Sequence, residues 1–213
     1  MAAVSEMIVR EFFESRGFFV RQGRKHVNPN KVEEDSADFH VLHPIPETGT
    51  YPFLLRAGDV ACLGQAVVAV KGWYSERFTP SVLRNSPEIY TFAQPSFYKR
   101  TLKAFGERGP VARVLVVPGL PADGDEREES VKILRSAGVD AVISFEAMIE
   151  DLIGQVEVNR NYAKSDLLQT LRVLKSYSVF RSPQMELFTG AAPGRRSRKR
   201  VKKQKNTKPA AVP

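Results

Sequence analysis

Between Ala112 and Ile143 the chain spells out a strand, a helix and a second strand. Ala112-Arg113-Val114-Leu115-Val116-Val117 is a β-branched, largely apolar run closed by Pro118. A helix is predicted from Asp125 to Ala137, Gly138 ends it, and Val139-Asp140-Ala141-Val142-Ile143 returns to strand character. Two strands joined through a helix favour parallel pairing with a right-handed crossover. Ala66-Val67-Val68-Ala69-Val70-Lys71 is apolar without alternation until its last residue, as expected of a central strand buried on both faces. These segments predict an α/β fold.

The preceding residues complete the core. Ser5 to Arg16 places Val4, Ile8 and Phe12 on one helical stripe with Val9 and Phe13 beside it, and Gly17 stops the helix. Phe18 to Gln22 and Asp38 to Leu42 read as strands, and the proline-containing stretch from Pro44 to Asp59 as a loop or ragged hairpin. Shorter helices follow Pro80 and Pro87, the clearest from Ser96 to Phe105, with two more near Phe145–Val156 and Ser165–Tyr177. In the last helix Leu167, Leu171 and Leu174, with Leu168 alongside, form a core face. The order is an α-β-β-β-α-β core with a mixed central sheet, then a C-terminal β-α-β-α extension. One domain over residues 1–180, a linker over 181–193 and a tail over 194–213 are expected.

Charge separates the tail from the body. Nine of the 32 Lys and Arg residues lie between Gly194 and Pro213, where there is no acid: Arg195, Arg196, Arg198, Lys199, Arg200, Lys202, Lys203, Lys205 and Lys208. The remaining 23 basic residues face 24 acids, so the body carries about −1 although the chain carries +8. Such a segment buries too little apolar surface to fold, so a disordered tail is predicted. A polycation lying on phosphates releases condensed counterions, a sequence-independent attraction that makes DNA the expected partner. A solubility extension, a nuclear-localisation-like run or an RNA contact are the alternatives. In the body, Arg160, Lys164, Arg172 and Lys175 form a candidate second basic patch.

Cys62 is the sole cysteine, which rules out an intrachain disulfide and a cysteine-rich metal knuckle. Met1 to Glu6 lacks the basic start and apolar run of a signal peptide, and no stretch approaches the ~18 apolar residues of a membrane span. A cytoplasmic protein without a membrane partner is expected, nucleoid-associated if bacterial.

Three segments carry a resemblance: Ser5-Glu6-Met7 with Phe13 to Gln22, Asp38-Phe39-His40-Val41, and Ala66 to Trp73. In this order they resemble the restriction-endonuclease-like PD-(D/E)xK superfamily, most closely its small Holliday-junction-resolvase-like members. In that superfamily a helix acid, a strand Asp and an acid-x-Lys strand converge on one sheet edge. The carboxylates hold Mg²⁺, which polarises the scissile phosphate, and the lysine positions or activates the attacking water. The resemblance implies Asp38 as strand Asp and metal ligand, Lys71 as the lysine, Glu6 as the helix acid, and a two-fold homodimer. Two family acids are absent: Ala69 stands two before Lys71 and Ser36 two before Asp38. Gln65, or one of Glu33, Glu34 and Asp35, is the candidate spatial substitute, and Ala69→Glu is expected to restore metal affinity.

Each residue also has a plainer role. Asp38, at the head of a strand, is then a turn residue, Lys71 ends a strand into solvent, and Glu6 is a solvated helix acid. His26, His40 and His43 show no metal-ligand spacing, and His40 points away from Phe39. Trp73 either stacks on a base or belongs to the core.

Ser182-Pro183-Gln184-Met185-Glu186-Leu187-Phe188 resembles the Gln-Leu-(Ser/Asp)-Leu-Phe peptide by which bacterial DNA-processing proteins dock on the sliding clamp. The resemblance assigns Leu187 and Phe188 to an apolar pocket, Gln184 to its rim and Met185 to the second Leu position. The alternative is that Met185, Leu187 and Phe188 cover this protein's own body. Three functions remain open: a metal-dependent endonuclease of DNA repair or recombination, a non-catalytic nuclease-fold adaptor, and a protein-interaction scaffold with a solubilising tail.

Overall fold

A computed structural model describes residues 2–23, 37–72, 77–106 and 109–180 of the 213-residue chain. Helix α1 spans Ala2–Ser15, and strands β1 (Phe19–Gln22), β2 (Phe39–Leu42) and β3 (Gln65–Val70) follow. Then come α2 (Pro80–Asn85), α3 (Pro95–Ala104), β4 (Ala112–Val117), α4 (Gly124–Ser136), β5 (Ala141–Ser144), α5 (Phe145–Gln155) and α6 (Asp166–Ser176). Short 3₁₀ turns at Ala57–Cys62 and Pro87–Ala93 complete the set.

The five strands form one mixed sheet in the order β1-β2-β3-β4-β5. β1 and β2, and β2 and β3, pair antiparallel; β3 and β4, and β4 and β5, pair parallel. The β4-α4-β5 unit is therefore parallel, as its sequence predicts. Side chains alternate across the sheet and feed two cores. Phe39, Val41, Val68, Val114 and Val116 face Ile8, Phe12 and Phe13 of α1, together with α5 and Leu171 of α6. Val67, Ala69, Leu115 and Val142 face Phe78, Leu83, Phe92, Phe97 and Leu134. β3 is buried on both faces through four successive residues, which is why its sequence lacks alternation.

Beyond β4 the chain runs α4-β5-α5-α6, so the expected β-α-β-α extension holds one strand rather than two. Three local features also differ from the sequence reading. Around the bridge of Leu54 to Val142, Val142 donates to Phe53 at 2.7 Å and Leu55 donates to Val142 at 2.8 Å. The expected loop thus covers the open edge of β5, where unpaired amides would otherwise invite another strand. β5 begins at Ala141 rather than Val139 because Gly138, at φ +89°, turns the chain. There the Asp140 carboxylate takes a bidentate bond from Arg113, 2.8 Å to each oxygen. Pro87–Ala93, part of the region expected to be helical, is a 3₁₀ turn. No helix among the described residues is long and apolar enough to cross a membrane.

Candidate functional site

Asp38 sits at a bend just before β2 and ties three strands together. Its amide donates to Val68 at 3.0 Å, its carbonyl accepts from Gly23 at 2.9 Å, and its carboxylate Oδ2 accepts from the Val70 amide at 2.7 Å. Glycine at position 23 suits this approach, since a Cβ there would crowd the Ala37 carbonyl oxygen at 3.0 Å. The bend breaks the alternation of β2: Phe39 enters the α1-side core and Ala37 the opposite one. The Asp38 carboxylate is thereby directed at the end of β3.

Lys71 is the next residue after Val70, and its amide donates to Val116 at 3.0 Å. The structure thus brings Asp38 and Lys71 to one end of the sheet, through a bond between Asp38 and Val70 that spans a sequence separation of 32. Glu6 lies toward the same end, where Gln22, the last residue of β1, donates to its carboxylate at 2.6 Å. Register pairs Gln22 with Phe39, so the Glu6 contact lies one residue from Asp38 along β2.

Among the described residues the acidic set lacks the position two before Lys71. Ala69 is fully buried, in the same apolar cluster as Phe78, Leu83 and Ile89. The position that carries an acid in the nuclease pattern is therefore core. Gln65 cannot substitute: it opens β3, four residues from Ala69, or about 13 Å along an extended strand. Among the described residues no group of three or more His, Cys, Asp or Glu side chains is placed to hold a metal ion. Mg²⁺ is usually held through one or two carboxylates and water, and at this sheet end the described residues offer the carboxylates of Asp38 and Glu6, the first already accepting from the Val70 amide and the second from the Gln22 side chain. The described residues therefore present two of the expected acids and not a third, and the burial of Ala69 argues against the expectation that Ala69→Glu restores metal affinity. Ser36, Glu33, Glu34, Asp35, Trp73 and His26 lie outside the described residues.

The remaining histidines hold the fold. The His40 ring lies 5.6 Å from that of Phe105, on the face opposite Phe39. The His43 ring meets Phe18 edge-on at 4.8 Å, and its Nδ1 accepts from the Ile45 amide.

The body's candidate basic patch is largely engaged. The Lys175 ammonium donates to the carbonyls of Ile153 and Val156 at 2.8 and 2.7 Å, closing the end of α5. Arg172 donates to Val158 at 2.8 Å, and Arg160 pairs with Glu157 at 3.1 Å. These bonds place three of the four cations in local contacts. The nine tail cations, Arg195 to Lys208, and the peptide residues Gln184, Met185, Leu187 and Phe188 lie outside the described residues.

Sequence reasoning missed a cleft of about 580 Å³ beyond the ends of β4 and β5, lined by Arg77 and Arg127 among others. Those arginines are 50 positions apart and belong to no motif, so topology alone unites them. No protein-family model, curated protein or solved structure compared with this chain matches it.

Proposed function

We propose that this chain is a DNA-binding protein of the PD-(D/E)xK nuclease fold that acts as a non-catalytic adaptor. The observation that carries this reading is the pair formed by buried Ala69 and the Asp38–Val70 bond. The position of the family's second acid belongs to the core, while the retained Asp joins two strands. Support for the fold comes from the antiparallel β1-β2-β3 meander continued by parallel β4, with α1 on one face. Support for DNA comes from the nine cations of the C-terminal segment, which binds phosphates whatever the sequence beneath them. In this reading Gln184, Met185, Leu187 and Phe188 recruit the protein to a sliding clamp.

One observation favours a second reading, a metal-dependent endonuclease with an altered acid set: Asp38 and Lys71 are brought to the same sheet end. Cleavage of branched and flapped DNA with Mg²⁺ or Mn²⁺ separates the two, with Asp38→Ala as the comparison. The adaptor binds these substrates and leaves them intact. Cleavage abolished by Asp38→Ala would establish the endonuclease instead.

A further inference from the structure

The cleft beyond β4 and β5 lies where ligands of open α/β sheets gather, outside the carboxyl ends of parallel strands. It adjoins the Lys71 end directly, because Lys71 bonds Val116 and the next residue, Val117, lines the cleft. Its walls are both apolar, through Leu54 and Leu120, and polar, through Arg77, Arg127, Ser144 and Glu146. Arg77 is fixed at the rim by a 3.1 Å bond from Nη1 to the Leu120 carbonyl, which leaves the rest of its guanidinium fork for a ligand. Arg127 is exposed and forms no ion pair among the described residues.

The nearby helix starts do not supply the anion site. Asp123 already accepts from the first amides of α4, those of Asp125 and Glu126. Ser144 Oγ likewise accepts from Ala147 at the start of α5. Attraction for an anion therefore comes from the two guanidiniums, which match phosphate geometry through paired N–H donors. Glu146 opposes a second anion but accepts bonds from hydroxyls, and the apolar wall suits the face of a base. A volume of about 580 Å³ falls within the range of small-ligand pockets and holds one nucleotide, not a duplex.

We propose that this cleft binds a nucleoside phosphomonoester, with the phosphate on Arg77 and Arg127, the sugar hydroxyl on Glu146 and the base against Leu54 and Leu120. The inference rests on the nucleic-acid reading and deepens it, assigning the cleft to a phosphorylated strand end. A free nucleotide presents the same chemistry, and the arms of the test distinguish the two sources.

The full chain is titrated with three probes: single strands with a 5′-phosphate or 5′-hydroxyl end, a covalently closed duplex circle, and AMP or dAMP. The phosphorylated end is expected to bind about tenfold tighter than the hydroxyl end, in line with the loss of one charge-assisted bidentate contact. Arg77→Ala/Arg127→Ala removes this preference, whereas Arg84→Ala, which breaks an exposed pair with Glu129 outside the cleft, keeps it. Circle binding is the same for wild type and double variant. If both ends bind equally while the circle binds, the strand-end assignment falls and the nucleic-acid reading stands. Binding of AMP or dAMP without any oligonucleotide or circle supports the cleft chemistry with a free nucleotide as its source and overturns the nucleic-acid reading. Absence of binding to every probe overturns both.

Discussion

The Asp38 carboxylate accepts the Val70 amide at 2.7 Å, immediately before Lys71, so the residue most like a metal ligand also closes the ladder between β2 and β3. This bond gives Asp38 a structural role that can be separated from a chemical one. Asp38→Ala leaves the half-buried Val70 amide without its acceptor and is expected to lower stability by about 1–3 kcal/mol. Asp38→Asn keeps an acceptor oxygen and should recover most of that loss in denaturant unfolding. A loss with Asn as large as with Ala would show that the carboxylate's charge, rather than this hydrogen bond, matters there.

Ala69→Glu tests whether the missing acid can be restored. Ala69 is fully buried on the face of Phe78 and Leu83, so a carboxylate there is desolvated and overpacks the core. A loss on the order of 3 kcal/mol or more is expected by chemical denaturation, without tighter Mg²⁺ binding by calorimetry. Undiminished stability with increased Mg²⁺ affinity would revive the endonuclease.

Gly138 turns the chain from α4 into β5 at φ +89°, and a Cβ there would meet Arg113 Nη1 at 3.1 Å. Gly138→Ala combines left-handed backbone strain with displacement of the guanidinium that clamps Asp140. A loss of roughly 1–2 kcal/mol is expected in equilibrium unfolding. A gain, as when Ala replaces Gly at an unstrained position, would contradict this account of the turn.

Burial, and secondarily Glu88, pushes the Tyr90 hydroxyl up to about 12, and it donates to the Leu83 carbonyl at 2.9 Å. Its folded pKa lies above the unfolded value of about 10, so its contribution is fully present below pH 10 and is lost as pH rises toward 12. Tyr90→Phe should remove this component from the alkaline fall in stability. An identical pH profile for the variant would contradict the assignment.

The parts legible in the sequence are those where local pattern and tertiary demand agree. The unbroken apolar residues of β3 declare a strand covered on both faces, and Gly138 marks the turn between α4 and β5. Leu54 was not legible because its bridge to Val142 depends on an edge created by residues almost ninety positions later. The burial of Ala69 was not legible either, since alanine suits both a core and an emptied ligand position. Lys175 and Arg172 read as a surface patch because sequence lists charges but not the carbonyls they meet, here those of Ile153, Val156 and Val158. Arg77 and Arg127 share a cleft only because parallel β3 and β4 place the segments that follow them at one sheet end.

The central claim, a protein whose DNA affinity resides in its C-terminal cations, is tested most directly by duplex titration at several salt concentrations. The full chain is compared with a chain lacking Gly194 to Pro213. Each phosphate neutralised contributes about −0.9 to the slope of log K against log salt, so engagement of half the nine cations gives a difference of roughly 4. The truncated body carries about −1, and Lys175, Arg172 and Arg160 are held in local contacts, so a much weaker and flatter dependence is predicted. Equal slopes and affinities for the two chains would contradict the claim.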